Sequence, residues 1–182
     1  MAKKTNYGKE FESSVEESCT EQSIFYFRVR DVFLPPDLRA RVRVPQNRYD
    51  CLIYHKGYLF PVEMKSTKAK SISFSESMIK ANQIKNLNEA TRFSNVIPGF
   101  LFNFREPENR TFFIHISEFL KYKNIAENEL ENTYESRVNK SSIPIGICEE
   151  IGTELSGIKK KVKYRYWVGK LIDELIGRFN NE

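Results

Sequence analysis

An aspartate ahead of one apolar strand and a Glu-x-Lys on the next constrain this chain more than any other feature. They stand in Tyr49-Asp50-Cys51-Leu52-Ile53-Tyr54 and Val62-Glu63-Met64-Lys65. Side chains alternate faces along a strand, so Glu63 and Lys65 point the same way. A hairpin through His55-Lys56-Gly57 folds Asp50 back toward that pair. Three charged groups that a core would not tolerate unpaired then converge at one edge of a small sheet. Two carboxylates can hold Mg²⁺ through hard oxygens, and a lysine can stabilise a hydroxide or a developing phosphorane charge. The arrangement suits phosphodiester hydrolysis. The same spacing also fits a hairpin carrying three solvated charges.

A chain of 182 residues predicts one domain, long enough to bury its own core without disulfide staples. There is no long apolar run, and Met1-Ala2-Lys3-Lys4-Thr5-Asn6 lacks the apolar segment of a secretory signal. The expectation is a cytoplasmic protein with no membrane partner. Cys19, Cys51 and Cys148 are odd in number and far apart, which argues for reduced core residues over a zinc site or disulfide framework.

The net charge of +5 is bunched in two places. One comprises Arg28, Arg30, Arg39, Arg41, Arg43 and Arg48; the other comprises Lys159, Lys160, Lys161, Lys163 and Arg165. In extended chain Arg39, Arg41 and Arg43 project from one face, as a comb for phosphates or as an edge strand kept soluble by charge.

Periodicity predicts a helix from Gly8 to about Gln22 on the stripe Phe11, Val15, Cys19, with Glu12 at its boundary. A strand over 24–30 follows, broken at Leu34-Pro35-Pro36-Asp37. After the hairpin, Ser73-x-x-Glu76 has capping-box spacing and predicts a helix whose inner face is Ile79, Leu87 and Ala90. Gln83 shares that stripe, either as a snorkelling surface residue or aimed at the sheet's polar corner. Strands at 100–104 and 111–116, a short helix from Ser117, an edge strand at 143–147 and an amphipathic helix at 167–179 complete the chain, with 121–140 unassigned. The terminal stripe fits a core or an interface. The order predicts an α/β fold, a mixed central sheet flanked by helices. Residues 1–182 form one domain, with a basic segment projecting at about 31–48.

That order, with an acid on the first helix, resembles the PD-(D/E)XK nuclease superfamily, whose core is restriction-endonuclease-like. The local motifs are narrower. Gly8-Lys9-x-x-Glu12, Tyr49-Asp50, Tyr54-His55-Lys56-Gly57, Val62-Glu63-Met64-Lys65-Ser66-Thr67, Ser73-Phe74 and Asn82-Gln83-Ile84 are similar to the RecU-type Holliday junction resolvases. The resemblance covers most of the chain and implies that Glu12, Asp50 and Glu63 bind Mg²⁺, for which Mn²⁺ substitutes, together with the Met64 carbonyl. It implies that Lys65 supports the attacking water and that Gln83 faces the site. Arg39, Arg41, Arg43, Arg48 and Lys68 are then the expected DNA contacts.

The family's stalk, which enters the junction centre, corresponds to the segment between the first two strands and is shorter here. The expected substrate is a four-way junction, nicked symmetrically by a homodimer to leave 5′-phosphates. The alternatives are another PD-(D/E)XK endonuclease, restriction-like or repair, and a catalytically silent junction-binding protein. A small-molecule phosphate enzyme is disfavoured, since neither a G-x-x-x-x-G-K-[ST] nor a G-x-G-x-x-G loop is present.

Overall fold

The computed structural model describes residues 6–30, 35, 37, 41 and 47–179. In chain order the elements are α1 (Tyr7–Glu21), β1 (Phe25–Arg28), β2 (Cys51–His55), β3 (Tyr58–Thr67), β4 (Ser71–Ser73), α2 (Ala81–Ala90), β5 (Gly99–Phe104) and β6 (Arg110–His115). Then come α3 (Ile116–Asn128), β7 (Ser142–Pro144), α4 (Ile145–Ile151), β8 (Thr153–Glu154), β9 (Gly157–Lys159), β10 (Tyr164–Tyr166) and α5 (Val168–Phe179). Six strands make one mixed sheet in the order β1-β2-β3-β5-β6-β8, in which only β3 and β5 run parallel. Two small ribbons, β4 with β7 and β9 with β10, lie outside it.

The expected hairpin closes at Lys56-Gly57, with φ of 52° and 83°. Positive φ at both central residues gives the turn whose twist matches its strands, and Gly57 adopts it without steric cost. β5 sits mid-sheet and is buried along its whole length. Phe100, Phe102 and Phe104 join one core with Leu87, Ile114, Phe119, Tyr122 and Ile147, on the side covered by α2, α3 and α4. On the opposite face Leu101 joins Val15, Cys19, Cys51, Val62, Leu171 and Leu175, beneath α1 and α5. Each core rests on one alternating face of the same strands. The C-terminal stripe is therefore core.

Four expectations are corrected. The helix near residue 73 starts at Ala81, because Ser73 ends β4 and uses its hydroxyl to accept from the Ser75 N–H at 3.1 Å. Glu76 instead accepts from the Ala81 N–H through both carboxylate oxygens, at 3.1 and 3.0 Å, and so caps α2. Ile79 is buried but precedes the helix. The strand expected at 143–147 is three residues long and turns into α4 at Ile145. The helix from Ser117 begins at Ile116 and reaches Asn128, into the unassigned stretch, burying Phe119, Tyr122 and Ala126.

Candidate active site

β2 begins opposite Val62, whereas β3 runs on to Thr67. Beyond Cys51, therefore, the β2 side of β3 has no backbone ladder to pair with. The carboxylate of Asp50 takes the place of one: its Oδ2 accepts from the Met64 N–H at 2.8 Å. The Asp50 backbone is fixed as well, its N–H donating to Val62 O and its carbonyl accepting from the Val29 N–H. This anchoring fixes Asp50 beside Glu63, just ahead of β2 and midway along β3.

Glu63 is 1% exposed, an unusual position for a carboxylate. Burial and the neighbouring Asp50 charge push its carboxyl up to about 8, against the opposing pull of Lys65. Lys65 Nζ lies 3.5 Å from Glu63 Oε2. Gln83, from α2, donates its Nε2–H to the same oxygen at 2.6 Å. Gln83 Oε1 accepts from the Lys80 N–H at 3.0 Å, so one side chain both stabilises the start of α2 and orients Glu63. The alternative of a snorkelling surface glutamine is excluded.

A cleft of about 600 Å³ opens between α1 and α2 and is lined by Glu12, Asp50, Glu63 and Gln83. Lys9, Arg28, Arg30, Asn47, Lys80 and Asn82 also line it, and none of them was among the expected site residues. Arg28 and Arg30 alternate along the first strand segment, a signal that was visible. Lys80 and Asn82 enter through the displaced start of α2, which was not. Glu12 is ion-paired with Arg28. Among the described residues, no three of His, Cys, Asp and Glu form a ready-made cation cage. The donor set nonetheless suits a hard divalent cation: two adjacent carboxyls, one buried and reluctant to ionise, would gain most from a positive charge between them.

Of the expected DNA contacts, Arg39 and Arg43 lie outside the described residues, and Arg41 is exposed. Arg48 stands beside Tyr49 near the end of α2, and Lys68 is exposed and pairs with Glu106 at 3.2 Å. His115 does not line this cleft. It is buried, stacks on Phe179 at 4.4 Å and has its Nδ1 2.7 Å from Ser117 Oγ. No described helix is long and apolar enough to cross a membrane.

No family model matches the chain. Among solved structures, the fold is similar to that of Archaeoglobus fulgidus Hjc, a Holliday junction resolvase from an archaeal hyperthermophile. The TM-score is 0.50 at 14% identity, covering 81% of this chain and 95% of that one. The architecture is thus the restriction-endonuclease-like fold. In sequence, the chain is 58% identical over 171 residues to the SPbeta prophage-derived uncharacterized protein YotM of Bacillus subtilis strain 168. The match covers 94% of this chain and 87% of that relative. An identity of that level across nearly the whole length means that this chain belongs to the same family as YotM.

Proposed function

We propose that the protein is a Mg²⁺-dependent, structure-selective DNA endonuclease of RecU type that resolves four-way junctions. The observation that carries the reading is that Asp50 and Glu63 line one cleft side by side, with Lys65 3.5 Å from Glu63 and Gln83 holding it. A fold that keeps a carboxyl 1% exposed beside a second acid bears a desolvation cost that core packing does not require. The catalytically silent alternative leaves that cost unexplained.

Asp50, Glu63 and the Met64 carbonyl would hold the metal, with Glu12 reached directly or through water; the ion would supply Lewis-acid stabilisation of the departing 3′ oxygen. Lys65 orients the attacking water and takes part in its deprotonation. Gln83 and the Met64 N–H fix the two carboxylates, so neither must reorganise during the reaction. In-line attack leaves 5′-phosphates. Two symmetric nicks call for two matched sites, which a two-fold homodimer supplies. Phe25, Phe27 and Tyr54 are 60%, 53% and 49% exposed, which offers apolar surface at the β1 edge for such an association.

The test is incubation with a synthetic four-way junction beside a linear duplex of matched sequence, with and without Mg²⁺. Paired nicks in opposed strands of the junction, dependent on the ion and bearing 5′-phosphates, are expected. Equal cutting of the duplex would favour the restriction-like alternative, and binding without cutting would favour a silent junction-binding protein.

A further inference from the structure

The second basic cluster, Lys159 to Arg165, takes no part in the cleft. It forms the β9–β10 hairpin, which contains no acidic residue and is closed by a turn in which the Lys160 N–H donates to Lys163 O at 2.8 Å. Its cations divide into two sets. Lys160 and Arg165 pair with Glu21, and Lys163 pairs with Glu17; these bonds lash the hairpin to α1. Lys159 and Lys161 have no acidic partner among the described residues and are exposed. Between them and the turn's far side stands Val162, 87% exposed. A hairpin held rigid by one set of charges while presenting another to solvent is arranged for an anionic partner.

Beneath the hairpin is a hollow of about 300 Å³, lined by Lys159, Lys163, Arg105, Tyr7, Asn109 and a single acid, Glu10. Arg105 lies over the Tyr7 ring, 4.1 Å from its centroid, and its buried Nε is without a hydrogen-bond partner. A buried donor of that kind costs stability unless something accepts from it. A phosphate oxygen is a natural acceptor for a guanidinium.

The hollow lies farther along the strands than the catalytic cleft: Glu63 is level with Phe100 at the start of β5, and Arg105 follows the end of that strand. β3 and β5 are parallel, so Arg105, just past β5, is level with the end of β3, where its N–H donates to Thr67 O. The first turns of α1 separate the two: Lys9 and Glu12 face the cleft, while Tyr7 and Glu10 face the hollow.

We propose that Arg105 and the β9–β10 hairpin form a second binding site, which grips the phosphate backbone of a DNA arm beyond the catalytic cleft. The inference rests on the nuclease reading for the identity of the arm, but the binding it describes does not need catalysis. It also gives the protein a clamp on one arm independent of the 31–48 segment.

The test is fluorescence anisotropy of a labelled four-way junction over a range of NaCl concentrations, with Ca²⁺ in place of Mg²⁺. It compares the wild type with Arg105→Gln/Lys159→Gln/Lys161→Gln and with the double variant Lys159→Gln/Lys161→Gln, which spares the packed arginine. A control, Lys121→Gln/Lys140→Gln/Lys170→Gln, removes equal charge elsewhere. Each phosphate contact contributes about 0.9 to the slope of log K against log salt. The triple variant should therefore lose about 2–3 units, the double about 2, and the control close to none. An unchanged slope in both hairpin variants, or an equal fall in the control, overturns the proposal. So does hairpin-dependent binding to anionic phospholipid vesicles without any to DNA. Mg²⁺-dependent cutting by the wild type is scored in parallel. Cutting with an unchanged slope refutes the clamp alone; a lowered slope without any cutting refutes the nuclease reading and leaves the clamp standing.

Discussion

Replacing Glu63 with Gln should make the metal-free protein more stable at alkaline pH while removing its activity. The native carboxyl is pushed from about 4.5 up to about 8 by burial and by Asp50. For an acid raised in the folded state, the folded chain holds the extra proton between those two values, so stability falls as pH rises. It is fully present below 4.5 and lost as pH passes through 8. A displacement of about 3.5 units, at 1.36 kcal/mol each, sets a ceiling of about 5 kcal/mol. We take about 3–5 kcal/mol, on the order of 10 °C in Tm for a domain of this size.

A glutamine at 63 preserves the shape of the protonated carboxyl: its oxygen can still accept from Gln83 and its amide can donate to Asp50. Urea unfolding of both proteins in EDTA from pH 4.5 to 9 gives the stability difference directly. The difference should be near zero at the acid end and open progressively toward pH 8. Mg²⁺ at pH 8 should stabilise the wild type and leave Glu63→Gln unaffected. A difference that stays flat with pH would show that Glu63 ionises normally and would refute the account of the buried acid.

A second buried titrating group has the opposite sign: His115 is pulled down to about 4 by burial and by Arg178, so its stabilisation is complete above 6.5 and lost as pH falls through 4. His115→Gln should remove about 3 kcal/mol of that acid-side slope, read by unfolding in the same buffers. Gln83→Ala should slow cleavage without weakening DNA binding. Glu12→Ala should raise the Mg²⁺ concentration needed for half-maximal rate. Both are measured by single-turnover cleavage across an Mg²⁺ titration, and full activity throughout would return either residue to a structural role.

The hairpin was legible because three signals agreed. Cys51 to Tyr54 and Tyr58 to Lys65 were apolar enough for strands, and Lys56-Gly57 supplied the turn. The two-residue spacing of Glu63 and Lys65 then fixed their common face. The stripe of α1 was legible for the same reason, although it buries Ser14 and Ser18 besides the apolar set. Those serines pass as polar in sequence but bond to carbonyls four residues back, at 2.9 and 2.6 Å.

The start of α2 was misread because its cap comes from a residue ahead of the helix at a spacing other than the capping box. Glu76 reaches forward to Ala81 from outside the helix, and no local spacing rule describes that reach. The β9–β10 ribbon was missed because Lys159 to Arg165 reads as a charge run. It becomes a hairpin only through Tyr164 and Tyr166, which pack on the core, and through ion pairs to α1. In the site, the direction of Gln83 could not be derived from its stripe, since Ile79 and Leu87 on either side of it are core residues.

The central claim, that Asp50, Glu63 and Lys65 form a hydrolytic centre, is tested most directly by Asp50→Asn. The carboxamide keeps an oxygen to accept from the Met64 N–H, so the local fold is retained, but it is a poor ligand for a hard cation. Single-turnover nicking of a four-way junction in Mg²⁺ should fall below a few per cent of wild type. Binding of the same junction in EDTA should be unchanged or tighter, because a negative charge facing phosphate has been removed. Nicking at or near the wild-type rate would contradict the claim.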